Sequence, residues 1–191
     1  NDIIVETVCP ILDKLFIDFK LLGGVFSVKE KKHPELPLHQ DTTNVDCEKD
    51  TLYTIWIPLC DVDQNNGAIF LLPKSHKYFE NYISYTLPSS YIERKLIPSK
   101  YIKTIKMKAG EAFIFSNKLF HGSYINQFKE NRIAVVLTIT NKESKLVYYS
   151  KKDDFTISKF EINPKDYLNS YKDFSKGGLP TNAKFIEHIN Y

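Results

Sequence analysis

Residues 51–72 read TLYTIWIPLCDVDQNNGAIFLL, and the texture of this stretch decides the fold class. Residues 51–59 are rich in Tyr, Ile, Trp and Thr and apolar on both faces, which suits a strand in the middle of a sheet. Asn65-Asn66-Gly67 is a turn sequence that readily takes positive φ, and residues 68–72 are apolar again, so a β-hairpin is expected here. Working outward, strand character returns at 102–107, at 112–115 after the turn residue Gly110, at 119–125 and at 132–140, with a further candidate at 145–150. Toward the start, Gly23-Gly24 reads as a break before a strand over Val25–Lys29. The spacing of Ile4, Val8, Ile11, Leu12, Leu15 and Phe16 is helical and predicts a helix from about Pro10 to Phe16, with the proline in its first turn. Pro164 after Asn163 reads as the start of a second helix, running to about Phe174. About eight strands with a few flanking helices make a mainly β chain, an antiparallel roll or sandwich.

The length of 191 residues suits one domain spanning 1–191, with no repeat and no linker. Hydrophobic residues are 42% and charged residues 26%, which excludes a disordered or collagen-like chain. A net charge of +3 gives no global field that would argue for nucleic acid or a membrane surface. No apolar run is long enough for a membrane span. Cys9, Cys47 and Cys60 show no C-x-x-C spacing and cannot close a disulfide set, so a reducing, cytoplasmic setting is expected. The chain opens on Asn1 and its only Met is Met107, so a segment upstream of Asn1 is expected as well.

His39-Gln40-Asp41 is the sharpest chemical feature. In a strand, His39 and Asp41 share a face, and an imidazole and a carboxylate so placed can seize one metal ion. An H-x-D triplet is common, and taken alone it is more often a solvated His and Asp than a metal site. His121 adds weight, because two histidines and one carboxylate fill one triangular face of an octahedral ion and leave three positions open. That donor set points to a non-haem Fe(II) oxygenase, and structural zinc fits less well because no thiol is spaced as a ligand. Arg132 opens an apolar strand in which it shares a face with Ala134, Val136 and Thr138. It either snorkels at the strand end or presents a guanidinium fork to a carboxylate.

With these residues in view, the chain resembles the phytanoyl-CoA dioxygenase family. The resemblance runs from about Val25 to Thr140 and rests on His39-Gln40-Asp41, Trp56, Asn65-Asn66-Gly67, residues 72–77, Ala109-Gly110-Glu111, His121-Gly122-Ser123 and Arg132 eleven residues later. It implies a double-stranded β-helix, or jelly roll, that uses Fe(II), 2-oxoglutarate and O2. On the same resemblance His39, Asp41 and His121 hold the iron, Arg132 and Ser123 hold the far carboxylate of 2-oxoglutarate, Trp56 lines that pocket and Lys29 points at the cosubstrate. Related halogenases replace the carboxylate with a small residue. Asp41 is present here, so the resemblance implies a hydroxylase acting on an aliphatic C–H of a small molecule.

Two other classes compete, a cupin-like metal enzyme that does not use 2-oxoglutarate and a catalytically silent jelly-roll binding module. His33 and His188 lie in polar surroundings and read as solvated, and His76 is expected to hydrogen-bond locally and not to bind metal. Between Glu93 and Lys108 six basic residues face one acid, which is either a solvated face or an attraction for an anionic or carrier-linked substrate. Residues 78–101, with Tyr78, Tyr82, Tyr85, Tyr91 and Tyr101 in or at the end of them, read as an insertion that roofs the pocket.

Overall fold

The computed structural model describes residues 2–78, 82–84, 86–87, 91–164, 178–179 and 182–190. Helix α1 spans Asp2–Leu15 and therefore starts earlier than its sequence suggested, with Pro10 inside it. Pro10 and Glu6 both lie on the exposed side, where water can take the carbonyl that the proline leaves without a donor. The other side holds the helix in place: Ile4 and Leu12 are buried against Ile55, Val135, Leu137 and Ile139. Strand β1 spans Phe19–Lys29 and runs straight through the two glycines, with a register shift between Leu21 and Gly23 instead of a break. Gly24 is required by close approach, since a Cβ there would lie 2.7 Å from Leu137 and 3.1 Å from Ile4. The sequence signal for a break is thus the place where helix and sheet touch.

Seven further strands complete two antiparallel sheets. They are β2 (Leu36–His39), β3 (Tyr53–Pro58), β4 (Ile69–Leu71), β5 (Lys103–Ile105), β6 (Phe113–Ser116), β7 (His121–Ser123) and β8 (Arg132–Asn141). One sheet has the order β1-β8-β3-β6 and the other β2-β7-β4-β5. Their inner faces meet in a core that includes Trp56, Ile69, Leu71, Met107, Phe115 and Ala134. Each such large apolar side chain contributes about 1.5–3 kcal/mol when fully buried. The result is a jelly roll, as the family resemblance implied. Along β8, Ala134 and Val136 face this core while Val135, Leu137 and Ile139 face α1, so the alternation read from the sequence holds.

The expected hairpin does not form. Strands β3 and β4 lie in different sheets, β3 pairing with β6 and β8 and β4 with β5 and β7. Residues 61–67 instead carry the chain from one sheet to the other. Asp63 organises that crossing, accepting from the Asn65 amide (2.7 Å) at Oδ1 and from the Ala68 amide (2.9 Å) at its carbonyl. Gly67 supplies the positive φ, +90°. Turn chemistry was legible here; the partner strand was not.

A third sheet, β11-β10-β9, is built from β9 (Val147–Lys151), β10 (Thr156–Glu161) and β11 (Lys184–Asn190). The sequence does not announce β10 and β11, because β10 buries Ser158 and Lys159 and β11 is almost wholly exposed, so neither shows an apolar alternation. Lys159 in β10 is buried, paired with Asp46 (3.0 Å) and Glu187 (3.1 Å). The helix expected from Pro164 to Phe174 falls, after its first residue, outside the described residues, as does Tyr85. Leu38 and Ile92 exchange backbone hydrogen bonds (3.0 and 2.9 Å), and Ile92, Ile97 and Ile102 pack on Leu38, Phe70 and Phe120 across the back of the second sheet. Among the described residues no helix is long and apolar enough to cross a membrane.

Candidate metal centre

Strands β2 and β7 are antiparallel neighbours with His39 directly opposite His121, so pairing alone brings the two imidazoles to a centroid distance of 4.5 Å. Asp41 arrives differently from the sequence expectation. β2 ends at His39, and Asp41 sits in the following loop, where its amide donates to the Asn117 carbonyl (2.9 Å). Its Oδ1 lies 3.9 Å from His39 Nε2 and 3.8 Å from His121 Nε2. One donor atom from each of the three residues falls within 4.8 Å of the others, a cluster that could hold a metal ion.

Two hydrogen bonds prepare the imidazoles. His39 Nδ1 is 2.9 Å from the Pro37 carbonyl and His121 Nδ1 is 2.9 Å from the Leu119 carbonyl. A carbonyl only accepts, so each Nδ1 carries the hydrogen and each Nε2 offers its lone pair. Burial, with His121 close by, holds His39 below the usual histidine range and favours the neutral form that a metal needs. The carboxylate is oriented from the opposite sheet: Thr54 Oγ1 on β3 donates to Asp41 Oδ2 (3.1 Å). Thr54 was missed in the sequence, although it lies two residues before Trp56 and so shares its inward face. Tyr91 adds a ring stacked on His39 at 5.8 Å and is itself 61% exposed.

Beside this cluster lies a cationic recess. Arg132 is 4% exposed, and its Nε and Nη1 have no hydrogen-bond partner among the described residues. Its guanidinium carbon sits 5.3 Å from the Trp56 ring centroid. Lys29, also 4% exposed, is directly opposite Arg132 in the β1–β8 register, and like charges so placed repel. Lys29 Nζ donates to Ser123 Oγ (2.9 Å). Burial first, and then the Arg132 charge, lower the Lys29 pKa to about 8. A buried guanidinium with unused donors opposite a buried ammonium is costly unless an anion completes the pair. The recess therefore fits a carboxylate, on observations independent of the metal cluster.

The basic stretch after Glu93 is partly neutralised within the fold. Arg94 forks onto Glu35 and lies against both the Phe70 and Tyr124 rings, Lys95 pairs with Glu93, and Lys108 pairs with Asp61. His33, His76 and His188 are exposed and apart from the cluster.

A family model described as phytanoyl-CoA dioxygenase (PhyH) matches residues 14–134. A phytanoyl-CoA dioxygenase of Arabidopsis thaliana is 29% identical over 117 residues, 57% of this chain and 40% of that protein. The chain spans less than half the length of the curated relatives it matches. Among solved structures, EvdO2 from Micromonospora carbonacea var. aurantiaca, complexed with 2-oxoglutarate, is similar at TM-score 0.54 and 16% identity, over 72% of this chain and 64% of that one. The epimerase SnoN, in complex with Fe3+, alpha ketoglutarate and nogalamycin RO, is similar at TM-score 0.54 and 19% identity, over 67% of this chain and 52% of that one. At such identities the likeness to these structures is one of fold.

Proposed function

The chain belongs to the phytanoyl-CoA dioxygenase family, and from that premise we propose that it is a non-haem Fe(II)- and 2-oxoglutarate-dependent oxygenase. In this reading it hydroxylates an aliphatic C–H of a small molecule, with succinate and CO2 as coproducts. The observation that carries it is the pairing of two features on one barrel, a His-Asp-His cluster and a buried Arg132 with open donors. A metal cupin has use for the first feature alone, and a silent jelly roll for neither.

His39 and His121 would give Nε2 and Asp41 would give Oδ1 to the iron, a facial set that leaves three positions open. Bound Fe(II) with 2-oxoglutarate would supply the activation of O2 that C–H oxidation needs. Arg132 would take the far carboxylate of the cosubstrate in a charge-assisted pair, with Ser123 and Lys29 adding donors and Trp56 walling the recess. Ser123 is two residues from His121 on one strand face, a span of about 6.6 Å that a five-carbon diacid can bridge. Burial of these groups keeps water from competing for the carboxylate. Because Asp41 keeps its carboxylate, the third protein donor is present and hydroxylation is favoured over halogenation.

The substrate in this reading is a small molecule entering beside Tyr91, the residue of 78–101 that stacks on His39 and would roof the pocket while Ile92 and Ile97 pack behind the second sheet. Lys100, Lys103 and Lys106, outside the ion pairs above, support an anionic or carrier-linked one. Three cysteines without disulfides support a reducing, cytoplasmic setting.

Anaerobic addition of Fe(II) and 2-oxoglutarate tests the core of the proposal. A weak visible charge-transfer band is expected for wild type and its loss for His121→Ala, while Asp41→Ala is expected to abolish substrate-coupled turnover. A cupin-like enzyme or a silent barrel would give no band. Screening candidate substrates for coupled succinate release then identifies the reaction, a product heavier by one oxygen atom marking hydroxylation and an isomer or ring-closed product overturning it.

A further inference from the structure

We propose that Thr54 is a positioning residue for the metal centre, fixing Asp41 as a one-oxygen donor from the opposite sheet. The inference rests on the metal reading of His39, Asp41 and His121.

His39 and His121 are carried by paired strands, but Asp41 lies in a loop and its side chain is 35% exposed. Packing alone does not orient such a carboxylate. The loop backbone is held by Asn117 and Lys118, through the Asp41 amide and through Gln40 Nε2 donating to the Lys118 carbonyl (2.6 Å). Those bonds place the Asp41 Cα and leave the carboxylate free to turn. Thr54 Oγ1, 3.1 Å from Oδ2, removes that freedom.

Thr54 suits the task. It is buried in β3, flanked by Phe115 of β6 and Thr138 of β8, and a β-branched side chain in a central strand has few rotamers to choose from. With Oδ2 engaged, Oδ1 faces both imidazole Nε2 atoms. The consequence is a count of positions. Three protein atoms leave three of six octahedral sites open, enough for a chelating diacid and one further ligand. If both carboxylate oxygens bound, only two sites would remain, and the chelate would fill them.

The test is titration of Co(II) into the full chain under metal-free starting conditions. Thr54→Val keeps the side-chain shape and removes the hydroxyl. It is expected to weaken Co(II) binding by about 10- to 100-fold, the usual effect of losing a partner of a ligating group. Thr54→Ser, which restores the donor, is expected to recover wild-type affinity within a few-fold. Thr54→Val binding within about twofold of wild type, or failure of Thr54→Ser to recover it, overturns the proposal. Should Thr54→Val fail to fold, as judged by its melting transition, Thr54→Ala is titrated against the same criterion. Asp41→Ala separates the two layers of argument. If it too binds Co(II) like wild type, the metal reading itself falls; if it loses binding while Thr54→Val does not, only the role of Thr54 falls.

Discussion

Lys29 is the residue whose environment makes the most specific demand. An ammonium 4% exposed, opposite the Arg132 guanidinium, loses solvation and meets a like charge, and its pKa drops to about 8. In the ligand-free chain, between about pH 8 and 10.5, the unfolded form keeps a proton that the folded form has given up, so stability rises with pH across that window. Anion binding has the opposite sign, because a carboxylate pairs with the protonated ammonium. Affinity for 2-oxoglutarate is therefore expected to decline as pH is raised through about 8. Lys29→Met should lower that affinity by roughly 10- to 100-fold at neutral pH, the worth of about 1.5–3 kcal/mol for a hydrogen bond to a charged group. It should also flatten the pH profile. Calorimetric titration at several pH values checks both, and an unchanged slope in the variant would remove Lys29 from the recess.

At the scale of elements, the site depends on how closely β2 and β7 approach. Gly122 lies between His121 and Ser123, and a Cβ there would strike the Leu36 carbonyl and come within 2.7 Å of the Phe70 ring. Backbone cannot step aside as a flexible side chain does, so Gly122→Ala should push the two histidine-bearing strands apart. A cost of about 1–3 kcal/mol is expected from overpacking. For a domain of this size that lowers the melting temperature by roughly 2–4 °C per kcal/mol. An unchanged melting temperature would show that the strands can yield. Elements also mark what the sequence could reveal. Strand texture over 51–59 and 132–140 was legible because alternation and β-branching act locally. The destination of a strand was not, since Asn65-Asn66-Gly67 looks the same whether it closes a hairpin or crosses between sheets. His39, Asp41 and His121 could be picked out by type and order, whereas Thr54 could not, because it acts through a contact thirteen residues away that only the closed barrel creates.

At the scale of the molecule, the barrel is braced by the strands C-terminal to it. The family match ends at residue 134, yet the third sheet beyond it packs on the loop that leads from Asp41 to β3. Val147 donates to the Asn44 carbonyl (3.1 Å), the Cys47 amide donates to Tyr149 Oη (3.3 Å), and Lys159 pairs with Asp46. Both partners of that pair are buried, and the Asp46 carboxyl is held below the usual carboxylate range by hydrogen bonds and charge from Lys159 and Lys49, against the opposing effect of burial. Asp46 Oδ1 has no hydrogen-bond partner among the described residues, so the carboxylate depends heavily on its cations. Lys159→Met leaves Asp46 with Lys49 alone, 3.3 Å away on an exposed side chain. Removing one partner of a buried pair costs about 3–5 kcal/mol, and the remaining lysine places this case at about 3 kcal/mol. Adding Asp46→Leu to Lys159→Met should recover much of the loss, because no charge is then left buried without its partner. Urea unfolding of the two variants measures this directly. A double variant no more stable than Lys159→Met would mean that the pair contributes through geometry, by fixing the third sheet against the Asp41 loop, and not through the balance of two buried charges.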